Sequence, residues 1–316
     1  MAGRVLILTD GKAGHENQSK AFARSLGCEA DVVEIHFRSA VAKALSYLLD
    51  HVGVRTLALF SPLPPGTIPE RTDMPCGYSA VIGTGSGTFY AAKAVAKKLG
   101  VKCGVVLYPR GYELSSFGAI LAPAFDNPPH APNIVEIPAN LVANDDAFYE
   151  KGVADFRSRH VPGDKPAYAV IIGGPNKCST MTAEWTKGVL DGIFADTPDC
   201  EHWVTTSRRT PPDVEALVDS YPWDYKLIYS KDHFNPIPAF VRLARRLYVT
   251  AESTGMLSEA CMCGSAEVFA LDNLSPGPHK FRRFVENLRA GGYVEGSRKV
   301  DLRPQFDAAK ALLEIP

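Results

Sequence analysis

The chain of 316 residues predicts an α/β protein built from two doubly wound domains. Three observations carry that expectation. Short apolar runs alternate with helical stretches, the pattern of a parallel sheet covered by helices on both faces. The alternation restarts after RHVPGDKPA at 159–167, a polar stretch with the Pro and Gly of an interdomain connection. The length also exceeds what one core commonly supports. The expected domains are residues 1–160 and 161–316, with a C-terminal helix packing back on the first.

The first strand is RVLILT at 4–9, an apolar run closed by the turn TDG. EADVVEI (29–35), SAVIGT (79–84), KCGVVLY (102–108), GAILAP (118–123) and NIVEIP (133–138) follow, each too short for a helix. Helical stretches at 16–26, 39–50 and 86–99 separate them, and 37–60 reads as one longer helical stretch with a broad apolar face. In the second half YAVIIGG (168–174), HWVTTS (202–207), KLIYS (226–230), RLYVTA (246–251) and AEVFAL (266–271) are the strands. Helices at 182–195, 212–220, 236–245, 255–263 and 279–290 fill the gaps.

A net charge of -1 gives no bulk attraction to nucleic acid, so any anion must be held by local geometry. The seven cysteines are scattered without a CxxC pair, which argues against a disulfide framework and a zinc ribbon. Cys261 and Cys263 fall in an apolar helical run and read as core. The apolar run after the N-terminus is too brief for a signal peptide or a span. The expected location is the cytoplasm.

In doubly wound sheets ligands sit outside the carboxyl ends of the strands, and the distinctive residues of this chain gather there. DGKAGHENQ (10–18) passes from strand to glycine turn to helix, a place to hold an anion. His15 is a candidate base for a hydroxyl nucleophile, and Asp10 a residue to orient it or to act as base itself. GTGSG (83–87) has GxGxG spacing, not the dinucleotide fingerprint, and reads as a turn contacting substrate. Gly173 and Gly174 read either as a close approach to ligand or as a turn needing positive φ. TTSRRTP (205–211) offers Arg208 and Arg209 as forked phosphate donors, with hydroxyls from Thr205, Thr206 and Ser207. Ser253, Thr254 and Gly255 open a helix fit for a diphosphate, and Glu259 is a candidate acceptor for ribose hydroxyls.

DGKAGHENQ, VIGTGS, GGPNK, TTSRRTP and VTAESTGMLSEA, with KFRRF at 280–284, together resemble the mitochondrial-fission Elm-like family, whose bacterial members are described as glycosyltransferases. Their order across residues 10 to 284 is similar to that of the two-Rossmann-domain, B-type glycosyltransferases. That resemblance implies two domains facing across a cleft. It implies that Gly11, Lys12, Gly14, Asn17, Thr84, Gly85 and Ser86 form the acceptor side. It likewise assigns the sugar nucleotide to Gly173, Gly174, Asn176, Ser207, Arg208, Arg209, Ser253, Thr254, Gly255, Met256 and Glu259. APAFDNPP (122–129) lacks a histidine present in the related bacterial stretch.

The function so implied is metal-independent transfer of a sugar from a nucleotide-sugar donor to a hydroxyl acceptor, lipid-linked in one version, in envelope glycan or lipid assembly. No cofactor is expected. Two alternatives stay open: a nucleotide-sugar epimerase on the same architecture, and a non-catalytic adaptor of the mitochondrial-fission type. The basic and apolar stretch 37–60, with Arg38, Lys43 and Arg55, is a candidate peripheral contact to the inner face of the cytoplasmic membrane.

Overall fold

The computed structural model describes residues 3–68 and 77–316; Cys76 lies outside them. The chain divides into two compact units, Met1–Ala143 with Asp301–Pro316, and Asn144–Val300. The polar stretch 159–167, expected as the connection, lies inside the second unit, after a helix whose start at 146 opens that unit. A helix that packs on the strands after it belongs with them whatever the polarity of its far end.

The first unit holds β1 (Gly3–Thr9), α1 (Ala13–Ser25), β2 (Cys28–Glu34), α2 (Ala40–His51), β3 (Ala80–Thr84), α3 (Phe89–Leu99), β4 (Lys102–Val106), β5 (Ala119–Pro123) and β6 (Ile134–Ile137). Its strands form one sheet in the order β2-β1-β3-β4-β5-β6, every pair parallel. β3 and β5 are buried along their whole length, which is why they read as unbroken apolar runs. The helical stretch expected over 37–60 is helix only in α2. Gly53, at φ +75°, turns the chain after it, and Phe37 and Phe60 then pair as an antiparallel bridge.

The second unit runs α4 (Asp146–Arg157), β7 (Ala167–Ile171), α5 (Ala183–Asp196), β8 (Glu201–Thr205), α6 (Pro212–Asp219), β9 (Tyr225–Leu227), α7 (Ile237–Leu243), β10 (Arg246–Thr250), α8 (Thr254–Cys263), β11 (Glu267–Leu271) and α9 (Lys280–Ala290). Its parallel sheet has the order β11-β10-β7-β8-β9. Cys261, on α8, is fully buried, and burial pushes its thiol up to about 12. The closing α10 (Arg303–Leu312) is part of the first unit, packed along β5 and β6.

Both strand orders reverse direction once. In the first unit the chain winds outward on either side of the β1/β3 pair, and in the second on either side of β7/β10. At such a switch point the loops leaving two neighbouring strands part to opposite faces and open a crevice at their carboxyl ends. Among the described residues no helix is long and apolar enough to cross a membrane.

Candidate functional sites at the switch point of each unit

At the first switch point Asp10 leaves β1 and accepts a hydrogen bond from His15 Nδ1 at 2.9 Å. Lys12 Nζ donates to the other oxygen of the same carboxylate at 2.8 Å. Burial works to raise the Asp10 pKa, but the bonds from Lys12 and His15 outweigh it and hold the carboxyl below its ordinary value. The carboxylate therefore stays ionised and fixes the imidazole with Nε2 as its unengaged nitrogen. The His15 side chain is 24% exposed and that of Asp10 9%, so the pair is sheltered but reachable.

The glycines of the neighbouring loop make room for this pair. A Cβ on Gly85, which sits at φ +82°, would overlap the His15 ring, and one on Gly87 would stand 2.7 Å from Asp10 Cβ. The loop after β3 is thus the seat of the dyad. Thr84 does not line it: the residue is 1% exposed, and its hydroxyl meets Ser19 Oγ at 2.7 Å. Ser86 accepts a bond from Lys43 Nζ at 2.9 Å. Gly11, Lys12, Gly14 and Asn17 are exposed around the first turn of α1, which no side chain caps.

The second switch point is organised by a residue the sequence analysis passed over. Glu252 follows β10 and is 2% exposed. Its Oε1 accepts from the Gly174 amide at 2.9 Å and from the Thr250 hydroxyl at 3.1 Å. Its Oε2 accepts from Asn273 Nδ2 at 2.7 Å. The Thr250 hydroxyl in turn accepts from the Gly173 amide at 2.9 Å. One buried carboxylate thereby ties the exits of β7, β10 and β11 together.

Gly173 and Gly174 are needed for this packing, and the turn with positive φ is not their reason. Neither takes a positive φ, and a Cβ would overlap the Glu252 carboxylate at Gly173 and the Arg209 backbone at Gly174. The close approach is to the protein's own loops. Asn176 likewise closes its own turn, its Oδ1 accepting from the Cys178 amide at 2.8 Å. Thr205 and Thr206 are 3% and 5% exposed and bond inward, Thr206 to Glu215 Oε1 at 2.7 Å. Their hydroxyls are not at the surface of the loop.

Arg208 and Arg209 are exposed, and no ion pair among the described residues engages either. Their loop is fixed to the Gly173 turn, since the Thr210 hydroxyl donates to Gly173 O at 2.6 Å and accepts from the Ser207 amide at 2.8 Å. Ser207 Oγ accepts from the Arg209 amide at 3.2 Å. Ser253 starts α8 without a side-chain cap, so its first-turn amides keep their donors. A Cβ on Gly255 would meet nothing within 4 Å, and Met256 is half-buried beside it.

Glu259 lies further along α8 and accepts from Tyr149 OH at 2.8 Å. Burial raises its pKa above the ordinary 4.5, against the opposing bonds from Tyr149 and Asn144. A carboxyl with a raised native pKa contributes stability that is complete below its unfolded value and is lost as pH rises through the native one. Glu259→Gln keeps an acceptor for Tyr149 and removes the charge. The variant is expected to be more stable than the parent at pH 7 and indistinguishable from it near pH 4, by thermal unfolding across that range. An unchanged difference at the two pH values would show that Glu259 is not held against its ionisation.

Among the described residues no group of three His, Cys, Asp or Glu side chains is placed to hold a metal ion. Of the predicted residues the structure gathers Asp10, Lys12, His15, Gly85 and Ser86 in one unit, and Ser207, Arg208, Arg209, Ser253 and Gly255 along strand exits of the other.

Comparison with known proteins adds the following. The family model described as Mitochondrial fission ELM1 matches residues 13–311. No curated protein matches the chain. Among solved structures, a candidate UDP-N-acetylglucosamine 2-epimerase from Listeria monocytogenes superposes with a TM-score of 0.53 at 12% identity, over 99% of this chain and 88% of that one. The UDP-GlcNAc 2-epimerase from Neisseria meningitidis bound to UDP-GlcNAc matches at TM-score 0.49 and 11% identity, over 99% of each chain. MurG from Acinetobacter baumannii matches at 0.49 and 14%, over 98% of this chain and 90% of that one. The Listeria likeness shows the fold, two Rossmann-like units, as the order of the motifs implies.

Proposed function

The chain belongs to the mitochondrial fission ELM1 family, and on that premise we propose that it is a metal-independent glycosyltransferase acting on a nucleotide-diphosphate sugar and a hydroxyl acceptor. One observation carries the reading: each unit gathers its polar, solvent-reachable motif at its own topological switch point, where doubly wound sheets bind ligands. The second unit takes the donor. The open first turn of α8 faces the diphosphate with N–H groups, and Arg208 and Arg209 add forked cationic donors. These groups neutralise charge on the leaving diphosphate as the bond from the sugar to phosphate oxygen breaks.

The first unit supplies the base. As the acceptor oxygen bonds to the sugar carbon, its proton passes to His15 Nε2, and Asp10 stabilises the imidazolium that results. Lys12 keeps Asp10 anionic through the step. The same dyad suits this chemistry better than an adaptor role, because a binding surface has no need of an oriented, sheltered imidazole.

Calorimetry with UDP, GDP and ADP tests the donor half. One nucleoside diphosphate is expected to bind, and Arg208→Ala with Arg209→Ala to weaken it by about 3 kcal/mol, roughly a hundredfold, the scale of two charge-assisted hydrogen bonds. Unaltered affinity in the double variant would remove both arginines from the site.

A further inference from the structure

The polar stretch 159–167 joins α4 to β7 and walls a pocket of about 500 Å³ in the second unit. Its conformation is pinned from below. The buried carboxylate of Glu201 accepts from the Gly163 amide, and from Trp203 Nε1 at 3.0 Å. The facing wall is held by the sheet: the Arg245 amide donates to Ala167 O at 2.8 Å, and its carbonyl accepts from the Glu267 amide at 2.9 Å. The pocket therefore sits at the amino ends of β7 and β11, just ahead of β10. Ser253 and Gly255 follow β10 at the opposite end of the same sheet. The five residues of β7, at about 3.3 Å each, separate the two ends.

Charge decides what it takes. Arg157, Lys165 and Arg245 line the pocket and are exposed. No ion pair or side-chain hydrogen bond among the described residues engages any of the three. Glu267, the one acid of the lining, is held by Arg246 at 2.8 Å. Glu201 is spent on the inward bonds just given, and Asp164, exposed on the same stretch, does not line the pocket. A concavity lined by unpaired charge of one sign concentrates counter-ions of the other. Two guanidinium forks match the oxygens of a phosphate group, and three positive charges exceed what a single carboxylate neutralises. The size is that of a small-molecule pocket, and Pro162 and Leu243 give it an apolar side.

The geometry points to an anion site apart from the donor loops: Arg157, Lys165 and Arg245 hold the phosphate dianion of a small phosphomonoester, with its organic part against Pro162 and Leu243. The Ser265 hydroxyl, also in the lining, is a further donor to the phosphate oxygens. The site lies at the other end of the sheet from the proposed sugar-nucleotide groups and does not depend on the transferase reading.

Titration of the full chain with phenyl phosphate, followed by NMR at pH 8 where the group is a dianion, tests it. The parent is expected to bind phenyl phosphate, and to bind benzoate, with its single charge, at least tenfold more weakly. Arg157→Ala with Arg245→Ala is expected to weaken phenyl phosphate at least tenfold, the loss of two charge-assisted contacts, while circular dichroism stays native. Lys165→Glu serves if that pair loses its fold. Arg208→Ala with Arg209→Ala separates the pocket from the donor loops and is expected to bind phenyl phosphate as the parent does. A parent that binds none, equal affinity for benzoate, or unchanged affinity in the pocket variants would overturn the proposal. Loss of binding in the Arg208 and Arg209 variant alone would move the phosphate to the donor loops and overturn it too. Sedimentation with phosphatidic acid vesicles that the pocket variants abolish, without binding of phenyl phosphate, would assign the pocket to a lipid headgroup and overturn the small ligand.

Discussion

Replacing His15 by alanine is expected to lower turnover about 10²–10⁴-fold, the usual worth of a positioned proton-transfer group, with donor affinity unchanged. The donor loops lie in the other unit, so the loss should fall on kcat and leave nucleotide binding intact. His15 sits on the first turn of α1, partly exposed, and its removal opens space over Gly85 without unpairing any buried group except Asp10, which keeps Lys12. The fold should survive. Steady-state kinetics with an identified acceptor, alongside calorimetry of the donor, check both halves of the expectation. Normal turnover in the variant would move the base to another residue, with Asp10 the next in reach of the crevice.

Asp50→Ala is expected to cost about 3–5 kcal/mol of stability, because it strands a buried ammonium. Lys93 Nζ donates to both Asp50 oxygens, at 2.9 and 2.8 Å, and to Glu113 O at 2.7 Å. Burial pushes the Lys93 pKa down against the pull of Asp50, so its charge persists through that partner. The Glu113 amide and Arg55 also lean on the same carboxylate, at 2.7 and 3.2 Å. Set against the ~5–15 kcal/mol that stabilises an ordinary domain, the loss brings the first unit near its threshold. Urea unfolding measures it. Asp50→Leu combined with Lys93→Met is expected to recover part of the loss, since it removes the stranded ammonium while Arg55 and the Glu113 amide still lack the carboxylate. Equal destabilisation by the single and double changes would mean that the pair acts through packing and not through charge.

The sheets were legible because parallel strands covered on both faces are continuous apolar runs, as AVIGT of β3 and AYAVI of β7 show. The dyad was legible for a related reason. Asp10, His15 and Gly85 all lie where a strand hands over to a helix, and adjacency of β1 and β3 brings those exits together.

What could not be read is pairing over distance. Glu252 stands beside two natural cap residues and looks like surface charge until Gly174, 78 positions earlier, is found bonded to it. Its one local signal is an acid at a strand exit, two residues after Thr250. Glu259 meets Tyr149 across 110 positions. The glycines at 173 and 174 signal a close approach without saying to what. On α2 the difficulty is one of sign, because Leu45 and Leu48, both exposed, look in sequence like any residues of a core-facing stripe. Which face turns inward was settled by Ser46, Tyr47 and Asp50, whose partners Tyr112 and Lys93 come from later in the chain.

Transfer of a sugar from a nucleotide to a hydroxyl is the central claim, and product analysis tests it most directly. The protein is incubated with a panel of nucleotide sugars, with and without an extract of envelope lipids, and nucleoside diphosphate and labelled sugar are followed together. The account predicts that one donor releases its diphosphate in step with incorporation of the sugar into an extract component, and that His15→Ala abolishes both. Conversion of a nucleotide sugar into its epimer without net release, or no turnover of any donor in the presence of extract, would contradict it.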